Sequence, residues 1–311
     1  MRTSLSLLCS SLLVATLGAC STLDTINPFS DPEASAWKDD VRDWRDRRQA
    51  KLTQPFGWLS LTGLDWLQEG SQTVGSAADN DIVLSGGPAH WGEVVMNGDD
   101  VYFRTAAGVN VQVGGKLVEE AQLVSDDKGE ATIVSADNVQ FYVVRRGSLA
   151  LRVKDSEAPT RVDFQGLDYF DMDMDWRVVA KFEPHPPGTT LEIVNVQGQV
   201  EIWENPGAAV FEKDGKNFRI ETVLEDGEDE LFIIIADRTS GKETYGAARF
   251  MYAPMPQNGY TVLDFNKTYN PPCAFTVYST CALPPQGNRM NIRVEAGELK
   301  YEGKPGYQPK A

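Results

Sequence analysis

Short apolar runs separated by turn residues dominate the chain from Gly70 onward. β-Branched and aromatic residues recur in segments of about four to eight, with a turn signal about every 8 to 12 residues. Asn97-Gly98 and Gly114-Gly115 are dipeptides typical of tight hairpins. The alternation of strands and long helices that a parallel α/β sheet needs is not visible. The pattern predicts an all-β protein with a sandwich-like first unit and a second antiparallel β domain, residues 156–303.

One segment before these runs has a helical period. Trp37, Val41, Trp44 and Leu52 recur at spacings of four, three and eight, which places them on one face of an amphipathic helix. Charged residues of both signs cover the other faces, so the tryptophan stripe is expected to dock on the protein body rather than on a membrane. We group this helix with the first β unit, as residues 37–155.

The first twenty residues have the regions of an export signal. Arg2 precedes an apolar stretch that is too short to span a bilayer, and Leu17-Gly18-Ala19-Cys20 follows it. This order predicts a bacterial lipoprotein signal peptide, residues 1–19, and a lipid anchor on Cys20. The alternative is an ordinary secretory signal with a chance cysteine.

The residues after Cys20 extend this prediction. Residues 20–36 are expected to be a tether, and residues 304–311 a tail. Ser21 directly after the cysteine resembles the sorting pattern for the bacterial outer membrane. We therefore expect a cell-envelope protein that is lipid-anchored to the outer membrane and faces the periplasm.

The charge of the chain limits its partners. The chain has 45 Asp and Glu against 29 Lys and Arg, a formal charge of −16, and 2 His. Acid excess argues against nucleic acid, because basic residues supply most of that affinity. Two histidines exclude a multi-histidine metal centre. We expect no metal and no cofactor, and a small molecule or an envelope protein as the partner besides the membrane.

A cluster of acidic residues around Gly227 lies between two predicted strands. Like charges at such a turn are typical of a solvated hairpin tip and need no ligand. The cluster comprises Glu225, Asp226, Glu228, Asp229 and Glu230.

Cys273 and Cys281 are the cysteines expected in the folded part. Outside the cytoplasm, two cysteines across a proline-rich loop most simply form a disulfide. A zinc site with His185 or a carboxylate is an alternative, although structural zinc prefers closer cysteine pairs. A nucleophilic Cys273 paired with His185 is a further alternative.

The densest run of polar and aromatic residues extends from Asp237 to Arg289 and predicts a binding site. Arg249 or Arg289 could clamp an anion, and Tyr245 and Tyr269 could form walls. Bonds that merely hold the loops are the alternative explanation. Catalytic residues cannot be assigned. The candidate residues are Glu243, Tyr245, Arg249, Asp264, Tyr269, Asn270, Asn288 and Arg289.

Two of these candidates define the competing function. Glu243 and Asp264 could act as an acid/base pair if they converge, which would make the protein a carboxylate-based hydrolase. Histidine is scarce and no nucleophile motif is present. We therefore expect a binding module that uses the 237–289 loops, with the hydrolase second and a purely structural envelope protein third.

Two resemblances support this organisation. Val74-Gly75-Ser76 with the following Asn80–Leu84 run resembles a forkhead-associated β-sandwich. Ser76 stands where that family has the Arg that reads phosphothreonine, so phosphopeptide binding does not carry over.

The second resemblance is longer. Thr239-Ser240-Gly241-Lys242-Glu243-Thr244-Tyr245-Gly246 and the run Leu263–Thr276 are similar to the hallmark segments of the bacterial domain-of-unknown-function family 1684, with Ala248 where a Gly is common. The resemblance extends from about Trp37 to Tyr301. It implies a shared fold and no established activity.

Overall fold

The computed structural model describes residues 28–29, 31–225 and 227–303. The predicted signal peptide, the anchor Cys20, most of the tether and the tail lie outside these residues. No helix in the described part of the chain is long and apolar enough to cross a membrane.

The first unit is a β-sandwich. One of its sheets has the strand order β1-β11-β10-β9-β6-β7, and the other the order β3-β2-β4-β5-β8. Pairing is antiparallel in the described ladders except between β2 and β3. The strands are β1 (Leu61–Trp66), β2 (Gly70–Gly75), β3 (Ile82–Val83), β4 (Gly92–Asn97), β5 (Asp100–Thr105), β6 (Gln112–Val113), β7 (Lys116–Leu117), β8 (Glu120–Leu123), β9 (Val134–Ala136), β10 (Val139–Arg146) and β11 (Ser148–Asp155).

Alternate residues of these strands fill one core between the two sheets. Trp91 and Phe103 both pack on Phe141, with ring centroids 5.7 and 5.6 Å apart. The three rings are fully buried, and large aromatic groups supply much of the apolar area that stabilises a core. Ser76 donates its hydroxyl to Gly87 O at 2.9 Å. The likeness of the sandwich to forkhead-associated domains stays a prediction.

The second unit is a strongly curved antiparallel sheet. Its strand order is β17-β16-β15-β14-β12-β18, and β13 adds to one end of β14. The two end strands approach each other, since Thr261 Oγ1 donates to Pro254 O at 2.7 Å. The strands are β12 (Arg177–Pro184), β13 (Thr190–Val194), β14 (Val200–Lys213), β15 (Lys216–Leu224), β16 (Glu230–Ile235), β17 (Arg249–Pro254) and β18 (Tyr260–Asp264); a short helix, α2 (Pro159–Val162), precedes them.

Strand β16 shows how the curved sheet divides its side chains. Leu231, Ile233 and Ile235 belong to the core that the sheet encloses. Phe232 and Ile234 point to the outer face and join a second apolar cluster there. The period of two along a strand produces this division. All-β architecture with one long helix confirms the predicted fold class.

The long helix α1 (Ala34–Leu52) packs against the second unit. Its buried face carries Trp37, Val41, Arg48 and Leu52, so the predicted tryptophan stripe does face the protein body at its first position. Trp37 Nε1 donates to Asp264 Oδ2 at 2.9 Å. Although we grouped this helix with the first unit, its contacts lie with the second, because the partners of its buried face come from far along the chain.

Arg48 holds this helix in place. Its Nε donates to Glu298 Oε1 and its Nη2 to Asn270 O, each at 2.8 Å. The side chains of both Arg48 and Glu298 are almost completely buried. Gly297 lets the chain pass Thr268 closely enough to deliver Glu298, since a Cβ there would lie 1.9 Å from Thr268 Oγ1. The pair therefore links α1 to the last described segment.

We expect Arg48→Met to lower the free energy of unfolding by about 3 to 5 kcal/mol, because it leaves the buried Glu298 carboxylate without its cation. Urea unfolding of the full chain measures this change. The matched control is Arg42→Ala on the same helix, whose ion pair with Asp39 is exposed and whose loss should cost no more than about 0.5 kcal/mol. Equal urea midpoints for the two variants would contradict the assigned role of Arg48.

Candidate functional site

The structure separates most of the eight predicted site residues. Arg249 is fully buried and donates to Asp237 Oδ1 at 3.2 Å and to Val294 O at 3.0 Å. Its guanidinium also donates to Ala296 O. Burial lowers the pKa of Arg249, and Asp237 opposes that shift. Arg249 thus joins β17 to the 294–296 segment. Its Nε has no hydrogen-bond partner among the described residues, but the guanidinium is too deeply buried to meet an anion from solvent.

The two proposed acid/base carboxylates have different partners. Asp264 caps the turn that follows β18, accepting from Asn266 N at 3.1 Å and from Trp37 Nε1 at 2.9 Å. Glu243 accepts from Arg293 Nη2 at 2.8 Å, and this hydrogen bond lowers the pKa of Glu243. No hydrogen bond or ion pair joins the two carboxylates. This arrangement gives the predicted hydrolase no support.

The remaining candidates mostly hold the backbone. Asn288 Nδ2 donates to Glu221 O and Ile234 O, which ties β15 to β16. Asn270 Nδ2 donates to Leu299 O at 2.7 Å, and Tyr245 OH donates to Cys273 O at 3.2 Å. Arg289 is exposed. The polar density of the 237–289 run therefore reflects loops that need hydrogen bonds.

Cys273 and Cys281 form a disulfide, with Cα atoms 6.1 Å apart. His185 lies elsewhere and shares a 2.9 Å hydrogen bond with Glu221. The described residues contain no group of three or more His, Cys, Asp or Glu that could hold a metal ion. The loop that the disulfide closes contributes residues to a cleft between the two β units.

A cleft of about 890 Å³ lies between the β-sandwich and the outer face of the curved sheet. One wall comes from β10, β11 and the turn before them, and the other from β13 to β17 and the disulfide loop. Tyr269 lines this cleft; the seven other predicted site residues do not. Ligand sites of this size commonly lie between domains.

The wall on the curved sheet is a row of aromatic rings. Trp203 packs on Phe232 with ring centroids 5.7 Å apart, and Phe232 packs on Tyr252 at 5.2 Å. Tyr252 stacks on Tyr269 at 6.3 Å, and Tyr269 meets Trp58 at 6.4 Å. We call these five residues the aromatic wall. Trp203, Tyr252 and Trp58 are only partly buried, so their rings are available to a ligand.

One carboxylate is held against this wall. Tyr252 OH donates to Glu225 Oε2. Burial raises the pKa of Glu225 above its usual value, and the Tyr252 hydrogen bond partly opposes the rise. Burial also raises the pKa of Tyr252 and of Tyr269, so both phenols stay protonated. The expected solvated tip is therefore correct for exposed Gly227 to Glu230 but wrong for Glu225.

The wall on the sandwich carries three arginines. Arg145 pairs with Asp99 and Asp127, each at 2.9 Å. Arg146 pairs with Asp126 at 2.8 Å. Arg152 has a single long hydrogen bond, 3.5 Å to Thr280 Oγ1, and its buried Nε has no partner. Among the described residues, Arg152 is therefore the guanidinium of this wall that has no ion pair with a carboxylate.

Sequence reasoning missed the residues that form these walls. Trp203 lies on β14, Glu225 directly follows β15, and Tyr252 lies on β17. Arg152 lies in the other unit. Alternation along β14 and β17 could have placed Trp203 and Tyr252 on a face. No local signal shows that two such faces meet.

Comparisons with known proteins match a family model and a solved structure. A family model described as "Protein of unknown function (DUF1684)" matches residues 162–299. The segment 162–299 of the chain is therefore a DUF1684 segment. No curated protein matches the chain. A similar solved structure is the solution NMR structure of an uncharacterized protein from Haloarcula marismortui, with 30% identity and a TM-score of 0.38; the match covers 45% of this chain and 78% of that one.

The DUF1684 match is shorter than the extent we expected, Trp37 to Tyr301. It includes the whole curved sheet and most of the aromatic wall. Trp58 and the arginine-bearing wall of the cleft precede the DUF1684 segment. The cleft thus combines a wall from the DUF1684 segment with a wall from the preceding sandwich.

The raised pKa of Glu225 gives a prediction on pH. A carboxyl whose pKa is higher in the folded than in the unfolded protein contributes stability below its unfolded pKa and loses that contribution as pH rises through the folded pKa. Glu225→Gln removes this loss. We expect the melting temperature of the variant, relative to the wild type, to rise from pH 4 to pH 7.

Circular dichroism melts across this pH range measure the difference. Glu230→Gln is the matched control, since it makes the same change of charge at an exposed residue at the start of β16. If the melting temperatures of Glu225→Gln and Glu230→Gln change with pH in the same way, burial in the cleft does not raise the pKa of Glu225.

Proposed function

We propose that this DUF1684 protein is a binding module that holds a small ligand in the cleft between its two β units. The observation that carries the proposal is the aromatic wall, whose rings line a cleft of about 890 Å³. When a ligand covers an aromatic face that is in contact with water, the free energy of the system falls. A concave site of this kind favours a small molecule over the flat surface of a protein partner.

Polar groups on both walls supply orientation. Arg152 offers a partly exposed guanidinium from the sandwich, with a single 3.5 Å hydrogen bond among the described residues. Glu225 and Tyr252 offer an acceptor and a hydroxyl from the curved sheet. Convergent polar groups in a largely apolar cleft are what small-ligand sites use for specificity. Binding, rather than the hydrolysis first considered for Glu243 and Asp264, is the function that these contacts support.

We further propose that the protein acts in the cell envelope, attached by a lipid on Cys20. The support is the sequence order of Arg2, the apolar stretch and Leu17-Gly18-Ala19-Cys20. Acyl chains on one cysteine provide stable anchoring without a transmembrane helix. Ser21 resembles the sorting pattern for the outer membrane, which favours a location there with the protein facing the periplasm.

Ligand-observed saturation-transfer NMR on the full chain tests the cleft. The probes are N-acetylglucosamine, benzoate and choline, which present a saccharide, an anion and a cation. We expect at least one probe to show transfer that Trp203→Ala reduces at least about fivefold, because the substitution removes a ring from the aromatic wall. Trp203→Phe should restore part of the signal.

The control is Trp66→Ala, which removes a tryptophan that is 37% exposed on β1 and does not line the cleft. It should leave the transfer unchanged. The proposal fails if none of the three probes shows transfer, or if Trp203→Ala and Trp66→Ala have the same effect.

Metabolic labelling with an alkyne fatty acid tests the anchor. We expect the full chain to be labelled in a bacterial host and Cys20→Ser to lose the label, since acylation needs the thiol. Cys9→Ser is the matched control, because Cys9 lies inside the apolar stretch of the signal, and it should keep the label. Label retained by Cys20→Ser would refute lipidation at this residue.

A further inference from the structure

We infer that the ligand of the cleft carries an organic cation, an alkylated ammonium group that rests on the aromatic wall beside Glu225. The inference deepens the proposed function and depends on it. Three properties of the described residues support a cation over an anion or a neutral ligand.

The first property is the chemistry of the aromatic wall. Ring faces carry partial negative charge and attract a cation within about 6 Å of the ring centroid, with tryptophan the strongest of the three rings. Trp203 and Tyr252 both pack on Phe232, at 5.7 and 5.2 Å between centroids. A methylated ammonium suits such a wall, because its methyl groups also bury apolar surface.

The second property is the charge of the cleft. The described lining residues include six carboxylates and three guanidinium groups. Arg145 and Arg146 are already paired with aspartates of their own wall. Four carboxylates therefore face a single uncommitted guanidinium, that of Arg152. The four are Glu201, Glu204, Glu225 and Glu228.

Two of these carboxylates are bonded to the aromatic wall itself. Glu201 Oε2 accepts from Trp203 Nε1 at 3.2 Å, and Glu225 Oε2 accepts from Tyr252 OH. Each carboxylate is thus tied to a ring against which a cation would lie. Opposite charges in a partly desolvated cleft attract more strongly than they do in water.

The third property is a cation already bound to the same wall. The Arg48 guanidinium lies 4.8 Å from the centroid of Tyr269 and 4.9 Å from that of Trp58. Glu298 neutralises Arg48, so Arg48 would repel a second cation only weakly. Tyr252, which stacks on Tyr269, continues the wall toward Trp203.

Arg152 then indicates which group the other end of the ligand carries. The terminal nitrogens of Arg152 are partly exposed and have one long hydrogen bond among the described residues, from Nη2 to Thr280 Oγ1 at 3.5 Å, so they can donate to an acceptor oxygen of the ligand. A ligand with an ammonium group and a hydroxyl, carbonyl or acidic oxygen would satisfy both walls. Choline is the simplest probe with these two features.

The test compares choline with 3,3-dimethylbutan-1-ol, which has nearly the same shape and no charge. NMR titrations of the full chain are made at constant ionic strength, with sodium chloride replacing choline chloride. We expect choline to bind at least about tenfold more tightly than the alcohol. Glu225→Gln should weaken choline binding about fivefold or more and leave the alcohol unchanged, whereas Trp203→Ala should weaken both.

Glu230→Gln is the control for the change in net charge, since Glu230 is exposed and lies outside the cleft lining. It should leave choline binding unchanged. Equal binding of choline and the alcohol, or equal effects of Glu225→Gln and Glu230→Gln, overturns the cation inference.

The outcomes separate this inference from the proposed function. If N-acetylglucosamine or benzoate binds in a Trp203-dependent way and choline does not, the cleft binds ligands but not cations. If no probe binds, both the inference and the proposed function are overturned.

Discussion

The buried guanidinium of Arg48 is the group on which the arrangement of this protein depends. It joins helix α1 to Glu298, which is 250 residues away in sequence, and to the backbone of Asn270. It also lies over Tyr269 and Trp58. A charge in this position is tolerated because every segment around it supplies an acceptor or a ring face. Helix, closing segment and aromatic wall are therefore positioned by one side chain.

The cleft is a consequence of how two β units complete their cores. The sandwich buries its own aromatic rings between its sheets, and the curved sheet encloses Ile233, Met251 and Phe265. Side chains on the outer face of the curved sheet have no place in either core. They form a second cluster that includes Phe232, Tyr252 and Tyr269. Part of this cluster stays open where the sandwich stands opposite, and a partly open aromatic surface is characteristic of a binding site.

Arg152 and Glu225 are the polar groups of the cleft that a ligand could use. Arg249, Asp237 and Asn288 do not line the cleft. Their hydrogen bonds join parts of the protein to one another, although Arg249 Nε has no partner among the described residues. Arg152 retains a donor without a partner, and Glu225 is held in a site that disfavours its charge. Such incompletely satisfied groups cost stability, and they tend to be retained where a function needs them. The net charge of −16 raises the local concentration of cations around the molecule.

Local patterns along the sequence determined the fold class, the helix with its buried Trp37, the hairpins and the family, because strand alternation, helical period and turn residues act over a few positions. The candidate site did not follow from such local patterns. Polar density selected Asp264, Asn270 and Asn288, whose bonds serve the backbone, and Tyr269 was the candidate that reached the cleft. In the sequence, Glu225 lies in a run of acidic residues, as a solvated acid would. Its burial depends on Tyr252, which lies on another strand. Which faces meet is decided by side chains that lie far apart in sequence, such as Arg48 and Glu298, so only the tertiary structure could show it.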